Sequence, residues 1–105
     1  RPVLASDLLP ERALIGDQDA RAFLREDVYE ELRAAGPALL DTLTTYFDSG
    51  GSLEGTARAL FVHANTVRYR LRRITDVCGL SPVSPRDAFA LRVALAIGRL
   101  DDPLL

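Results

Sequence analysis

The sequence predicts an all-α fold, a small helical domain of about five to six helices. Apolar residues recur at three- and four-residue steps, and no strand-like alternation is sustained anywhere in the 105 residues. Nearly half of the residues (48%) are apolar, and no long glycine or proline tract interrupts them. This composition is typical of a folded globular chain, and the length fits one domain.

Residues 1–36 are expected to form a helical lead-in. Two aspartates can cap its second helix by accepting backbone N–H groups, Asp17 and Asp19. Asp27 followed by Glu30 resembles a capping box, so we expect the helix to break or restart near Asp27. The Gly-Pro pair at 36–37 should end this segment.

Residues 37–105 are expected to form the main domain, with helices at about 37–49, 53–60, 65–78 and 85–100. Ser52 is a favourable N-cap, and Gly79 is a favourable C-terminal stop. In the first of these helices, a core stripe is predicted at Leu40, Leu43 and Phe47. The last helix is apolar on more than one side, which is typical of a helix that is central in the fold or part of an interface.

Charge is distributed unevenly, although the net charge is only −2. Residues 1–55 carry five arginines and eleven acids, whereas residues 56–100 carry eight arginines and two acids. All thirteen basic residues are arginine. An acidic half joined to a basic half indicates that one surface of the domain meets a polyanion.

Two short helices joined by a tight turn at residues 61–64, the second of them basic, predict a helix-turn-helix. In this motif the first helix braces the second, and the second lies in the major groove of DNA. At 100° per residue, an apolar side of the second helix is predicted at Val67, Leu71, Ile74 and Cys78. Asn65, Tyr69, Arg72 and Asp76 fall on the opposite side.

The candidate DNA-binding residues are polar or aromatic side chains near the turn and on the exposed side of the second helix: His63, Asn65, Thr66, Arg68, Tyr69, Arg72 and Arg73. Thr56 and Arg58 on the brace helix are candidates for phosphate contacts. The alternatives are helix capping for His63, Asn65 and Thr66, and a solvated surface for the arginines.

Arg70 differs from its neighbours because its helical position lies at the edge of the apolar side. We therefore expect a structural role, in which Arg70 forms an ion pair with Asp41, Asp76 or Glu54.

The stretch LFVHANTVRYRLRRI, with LLDTLTTYFDSGGSLEGTARA before it and SPRDAFALRVALAIGRL after it, resembles the C-terminal helix-turn-helix domain of the PucR family of bacterial transcription regulators. That family includes purine-catabolism and sugar-diacid regulators. The resemblance covers residues 38–100, and the lead-in resembles actinobacterial members. It implies a domain that follows a sensory or GGDEF-like region and binds DNA as a dimer. Phe61 occupies the turn position that glycine often fills in other helix-turn-helix motifs.

The leading hypothesis is sequence-specific binding of double-stranded DNA by a homodimer, as the C-terminal end of a longer cytoplasmic regulator with an N-terminal sensory region. The alternative is a helical protein-interaction or dimerisation module without its own DNA binding. No arrangement of residues predicts a catalytic site, a cofactor, a metal ion or a membrane span. Cys78, the only cysteine, is expected to be a small core residue.

Overall fold

The computed structural model describes residues 8–101, and all of their regular structure is helical. The helices are α1 (Leu9–Leu14), α2 (Gln18–Ala22), a π-helical segment (Phe23–Tyr29), α3 (Glu30–Ala34), α4 (Pro37–Asp48), α5 (Leu53–Leu60), α6 (Ala64–Cys78) and α7 (Pro85–Asp101). Because α2, the π-helical segment and α3 follow one another without a gap, they form one continuous helix, and the described residues form six separate helices. The predicted all-α class is confirmed.

The continuous helix of residues 18–34 has Asp17 as its N-cap, and the Asp17 carboxylate accepts the Ala20 N–H at 3.0 Å. The predicted break near Asp27 is wrong, because the chain passes through that position in π-helical turns. Leu24, Val28 and Leu32 are fully or almost fully buried and repeat every four residues. Residues at this spacing lie on one side of a helix, and the π-helical segment packs mainly on α7.

The buried side of α4 is rotated from the predicted one. Leu39, Leu43 and Tyr46 are buried, whereas Leu40 and Phe47 are only half-buried. Phe47 lies at the edge of the core, where the Arg92 guanidinium covers its ring at 4.7 Å from the centroid. The correction follows from the packing of α4 against α5 and α6, which selects one of two adjacent apolar stripes.

The core is continuous across residue 36, because buried side chains of the lead-in and of the later helices form one cluster. Helix α7 packs mainly on the π-helical segment and on α1, with Gly98 against the Tyr29 ring. Helix α6 packs on α3, α4 and α5. Seven residues of α7 are buried, and their burial accounts for much of the apolar character of this helix. Between residues 8 and 101, no helix is both long and apolar enough to span a membrane.

Candidate nucleic-acid interface

Helix α5 is the shorter arm of the helix-turn-helix, with the predicted bounds Leu53–Leu60. Ser52 caps it, and its Oγ accepts the Gly55 N–H at 2.9 Å. Thr56 is fully buried, and its hydroxyl donates to the Ser52 carbonyl at 2.7 Å. The expectation that Thr56 contacts phosphate is therefore corrected, because its side chain does not reach the surface. Arg58 on the same helix is exposed, as a phosphate contact requires.

The turn between α5 and α6 closes α5 with two backbone hydrogen bonds, from Phe61 N to Arg58 O and from Val62 N to Ala57 O. This pattern is a Schellman motif, whose first residue beyond the helix is left-handed and is usually glycine. Here that residue is Phe61, with φ of 59°. For a residue with a Cβ, the left-handed conformation costs about 1–2 kcal/mol. The Phe61 side chain is 94% exposed.

Helix α6 begins at Ala64, one residue before the predicted start, and His63 is its N-cap. The His63 Nδ1 accepts the Asn65 N–H at 2.9 Å. A neutral imidazole that accepts at Nδ1 carries its proton on Nε2, and the exposed ring can therefore donate that proton to another group. Asn65 and Thr66 lie in the first turn and are not the cap.

The two sides of α6 follow the predicted register. Val67, Leu71 and Ile74 are buried against the other helices. The opposite side carries five exposed residues: Asn65, Arg68, Tyr69, Arg72 and Asp76. We call the first four the recognition surface. Arg68 donates to the Asn65 side-chain oxygen, so these two side chains already form a pair. Arg73 and Thr66 are partly buried at the edges of this surface.

Arg70 is half-buried and turned away from the recognition surface. Its Nη1 donates to the hydroxyl of Thr42 on α4 at 3.3 Å, and Thr42 is fully buried. The predicted ion pair with Asp41, Asp76 or Glu54 is wrong, because within the described residues Arg70 pairs with none of them. The contact with Thr42 agrees with the predicted structural role but replaces the acid with a neutral hydroxyl.

The arginines of α5 and α6 differ from most others in the lack of acidic partners. Elsewhere, Arg25 contacts the Asp101 carboxylate at 2.8 Å, and Arg86 contacts the Glu11 carboxylate at 2.6 Å. The latter hydrogen bond lowers the pKa of Glu11. Over residues 8–101, no ion pair involves any arginine of α5 or α6: Arg58, Arg68, Arg70, Arg72 and Arg73. Their positive charge is therefore available to an external anion.

An open apolar groove of about 320 Å³ lies beside the recognition surface. Leu53, Leu71 and Val83 line it, and the two recognition-surface arginines Arg68 and Arg72 border it. Val83 is an exposed residue of the loop between α6 and α7, and the sequence pattern does not identify it as a neighbour of the recognition surface. Its proximity depends on how that loop folds back along α6. In the part of the chain that the structure describes, no cluster of three or more His, Cys, Asp or Glu residues could hold a metal ion.

Comparison with known proteins agrees with this geometry. Residues 39–97 match the family model of the PucR C-terminal helix-turn-helix domain. An uncharacterized protein of Mycobacterium tuberculosis strain H37Rv is 58% identical over 103 residues, which are 98% of this chain and 25% of that protein. The carbohydrate diacid regulator of Escherichia coli is 33% identical over 85 residues, covering 81% of this chain and 22% of that protein.

The purine catabolism regulatory protein of Bacillus subtilis is 40% identical over 63 residues, which are 60% of this chain and 12% of that protein. Among solved structures, the regulator of polyketide synthase expression from Bifidobacterium adolescentis superposes with a TM-score of 0.91 at 50% identity. That match covers 97% of this chain and 43% of the other. The chain thus spans about a quarter or less of the curated relatives named here.

Proposed function

Because the chain belongs to the family of PucR C-terminal helix-turn-helix domains, we propose that it binds double-stranded DNA sequence-specifically as the C-terminal domain of a transcription regulator. Helix α6 would lie in the major groove with its N-terminal turns towards the base edges, and α5 would brace it from behind. This proposal goes beyond family membership because it specifies duplex DNA, sequence specificity and the groove.

The observation that carries the proposal is the set of unpaired arginines on the exposed side of α6. Arg68 and Arg72 lie on a rigid helix whose other side is held by Val67 and Leu71 in the core. Leaving several guanidinium groups together without ion pairs gives the folded protein little stability, because like charges repel. The arrangement favours a partner that carries many negative charges, as the DNA backbone does.

Each side chain has a distinct proposed role. Asn65 and Arg68 are suited to base edges, since amide and guanidinium groups form paired hydrogen bonds with adenine and guanine. Their mutual hydrogen bond holds both near one position before DNA arrives. His63 can donate from Nε2 to a phosphate while Nδ1 caps the helix. Tyr69, 57% exposed, is suited to a phosphate or a thymine methyl group.

Four further residues complete the proposal in supporting roles. Arg72 and Arg73 lie further along α6, and Arg58 lies on α5. We assign these three arginines to phosphate contacts. Thr66, in the first turn of α6, can donate its hydroxyl to a phosphate at the helix N-terminus. Thr56 is left out because it is buried.

We also propose that two copies bind two half-sites about one helical turn apart, as helix-turn-helix dimers do. The curated relatives are longer than this chain, and we propose that the full-length protein also contains a sensory region N-terminal to this domain. Such a regulator would act in the cytoplasm, where the bacterial chromosome is found.

The experiment that tests the proposal is selection of bound duplexes from a random pool by the 105-residue chain, followed by a salt titration. We expect a recurring half-site, repeated at a spacing of about 10 base pairs when two copies bind. The logarithm of the affinity should fall linearly with the logarithm of the salt concentration, with a slope of roughly −0.9 per phosphate contacted. Arg72→Ala should reduce the slope by about one.

Arg99→Ala is the matched control, because Arg99 is an exposed arginine of α7 that donates to Thr44, outside the helix-turn-helix. Its slope should equal that of the wild type. No enrichment of any sequence, or equal slopes for the Arg72 and Arg99 variants, would contradict the proposal.

A protein-interaction module is the second candidate function, and exposed apolar residues of α1 and α7 favour it. Leu14, Phe89 and Leu100 border an open groove of about 440 Å³, and the adjacent Ile15 is exposed. A contiguous apolar surface of this kind is typical of protein interfaces. The salt titration with random duplex DNA discriminates the two functions. A module that binds only protein should show no salt-dependent affinity for DNA.

A further inference from the structure

Phe61 combines two features that folding alone does not explain. It is the only non-glycine residue with positive φ in the described range 8–101, and its side chain is 94% exposed. A bulky residue in the left-handed conformation is an outlier that persists only where the surrounding structure imposes it.

The turn itself does not need the ring. The Schellman motif is closed by backbone N–H groups of Phe61 and Val62, which any residue but proline would supply. The side chain that packs inward from the turn is Val62, which lies against the core. A glycine at position 61 would make the same hydrogen bonds without the steric conflict of a Cβ. The aromatic ring therefore adds strain and solvent-exposed apolar area, and it adds no packing.

The charge around Phe61 indicates the chemistry of its partner. Residues 55–75 contain five arginines and one histidine but no acid. The exposed Arg58 precedes Phe61 by three residues, and the exposed His63 follows it by two. The second exposed aromatic residue of this acid-free stretch is Tyr69, on the recognition surface. An exposed aromatic ring in an arginine-rich, acid-free stretch of sequence suits a polyanion that also presents apolar groups, as the deoxyribose and the thymine methyl of DNA do.

We propose that Phe61 is a DNA-contacting residue whose ring packs on a deoxyribose or a thymine methyl at the edge of the groove, next to the phosphate bound by His63. The inference deepens the proposed function and rests on it. The contact contributes affinity by burying apolar surface, so it releases no counterions and leaves the salt dependence unchanged. This separates Phe61 from every arginine of the interface.

The test compares Phe61→Gly, Phe61→Tyr and wild type, each as the 105-residue chain, on the duplex that wild type selects from a random pool. Phe61→Gly should weaken binding about tenfold, as expected for one lost apolar contact of a large side chain. Its salt slope should equal that of wild type, and its melting temperature should be equal or higher because the backbone strain is relieved. Phe61→Tyr, which keeps the ring, should bind within about threefold of wild type.

Ile15→Ala is the matched control, since Ile15 is also an exposed apolar residue but lies at the end of α1, which packs on α2 and α7. Its affinity should be unchanged. Wild-type affinity of a folded Phe61→Gly variant would overturn the inference while leaving the proposed function intact. Weaker binding accompanied by a lower native mass would also overturn it, because Phe61 would then serve a protein contact. Absence of DNA binding by wild type would instead overturn the proposed function.

Discussion

Arg70→Ala separates the structural arginine of α6 from the arginines proposed to contact DNA. Arg70 is half-buried and donates to Thr42 at 3.3 Å, just beyond the usual range for N–H···O hydrogen bonds. A hydrogen bond from a charged donor contributes about 1.5–3 kcal/mol, and the long distance places this one at or below the lower limit. The buried part of the arginine stem adds to the loss. We expect Arg70→Ala to lower the free energy of unfolding by about 1–2 kcal/mol.

For a domain of this size, that change corresponds to a melting temperature lower by about 5–10 °C. Urea titration and thermal melting followed by circular dichroism measure both quantities. Thr42→Val removes the acceptor, and a double-mutant cycle with Arg70→Ala should give a coupling of about 0.5–1.5 kcal/mol. Arg72→Ala, two residues along the same helix but exposed, should change the stability by less than about 0.5 kcal/mol.

In DNA binding the two variants should rank the other way, with the larger effect for Arg72→Ala. Arg70→Ala should keep the wild-type affinity within about threefold and keep the salt slope, whereas Arg72→Ala should weaken binding and reduce the slope by about one. A loss of affinity in Arg70→Ala with an unchanged melting temperature would refute the structural assignment.

Three other predictions concern the fold. Gly98→Ala would place a Cβ against the Tyr29 ring and should destabilise the domain by about 1–3 kcal/mol in urea titration; wild-type stability would show that the α7 packing is wrong. Hydrogen bonds from the Ala20 backbone N–H and the Arg12 side chain lower the pKa of Asp17 from its ordinary value of 3.8. The stability that the Asp17 carboxylate gives to the fold is therefore complete above that pH, and it is lost as the pH falls through the lower pKa of the folded state. Asp17→Asn, which keeps a cap but does not titrate, should flatten the acid limb of a melting-temperature profile, and an unchanged limb would exclude this role. Burial raises the pKa of the Cys78 thiol, so iodoacetamide should label it slowly in the native protein and rapidly in urea; rapid native labelling would contradict its burial.

Local signals in the sequence predict much of this fold. Ser52 and Gly79 delimit helices because capping and left-handed C-terminal positions depend on residues only a few positions apart. The buried side of α6 was predictable because Val67, Leu71 and Ile74 recur at helical spacing around polar residues. The same periodicity places Asn65 and Arg72 on the exposed side.

Tertiary packing determines the features that the sequence pattern did not predict. The partner of Arg70 is a hydroxyl 28 positions away, and no local rule selects it over nearby acids. Thr56 is buried because α5 is packed between α4 and α6, although its residue type is common on surfaces. The helix continues through Asp27 with Leu24 and Val28 buried on other elements, and the capping-like pattern at Asp27 does not register that long-range burial.

The central claim is that α6 binds in the major groove through its exposed side. The most direct test measures the affinity of the double variant Arg68→Ala/Arg72→Ala for the selected duplex at fixed salt. Neither guanidinium forms an ion pair within the described residues, so the double variant should melt within a few degrees of wild type. Its specific affinity should fall by roughly a hundredfold or more, to the level of random DNA. A folded double variant that still discriminates the selected duplex from random DNA would contradict the claim.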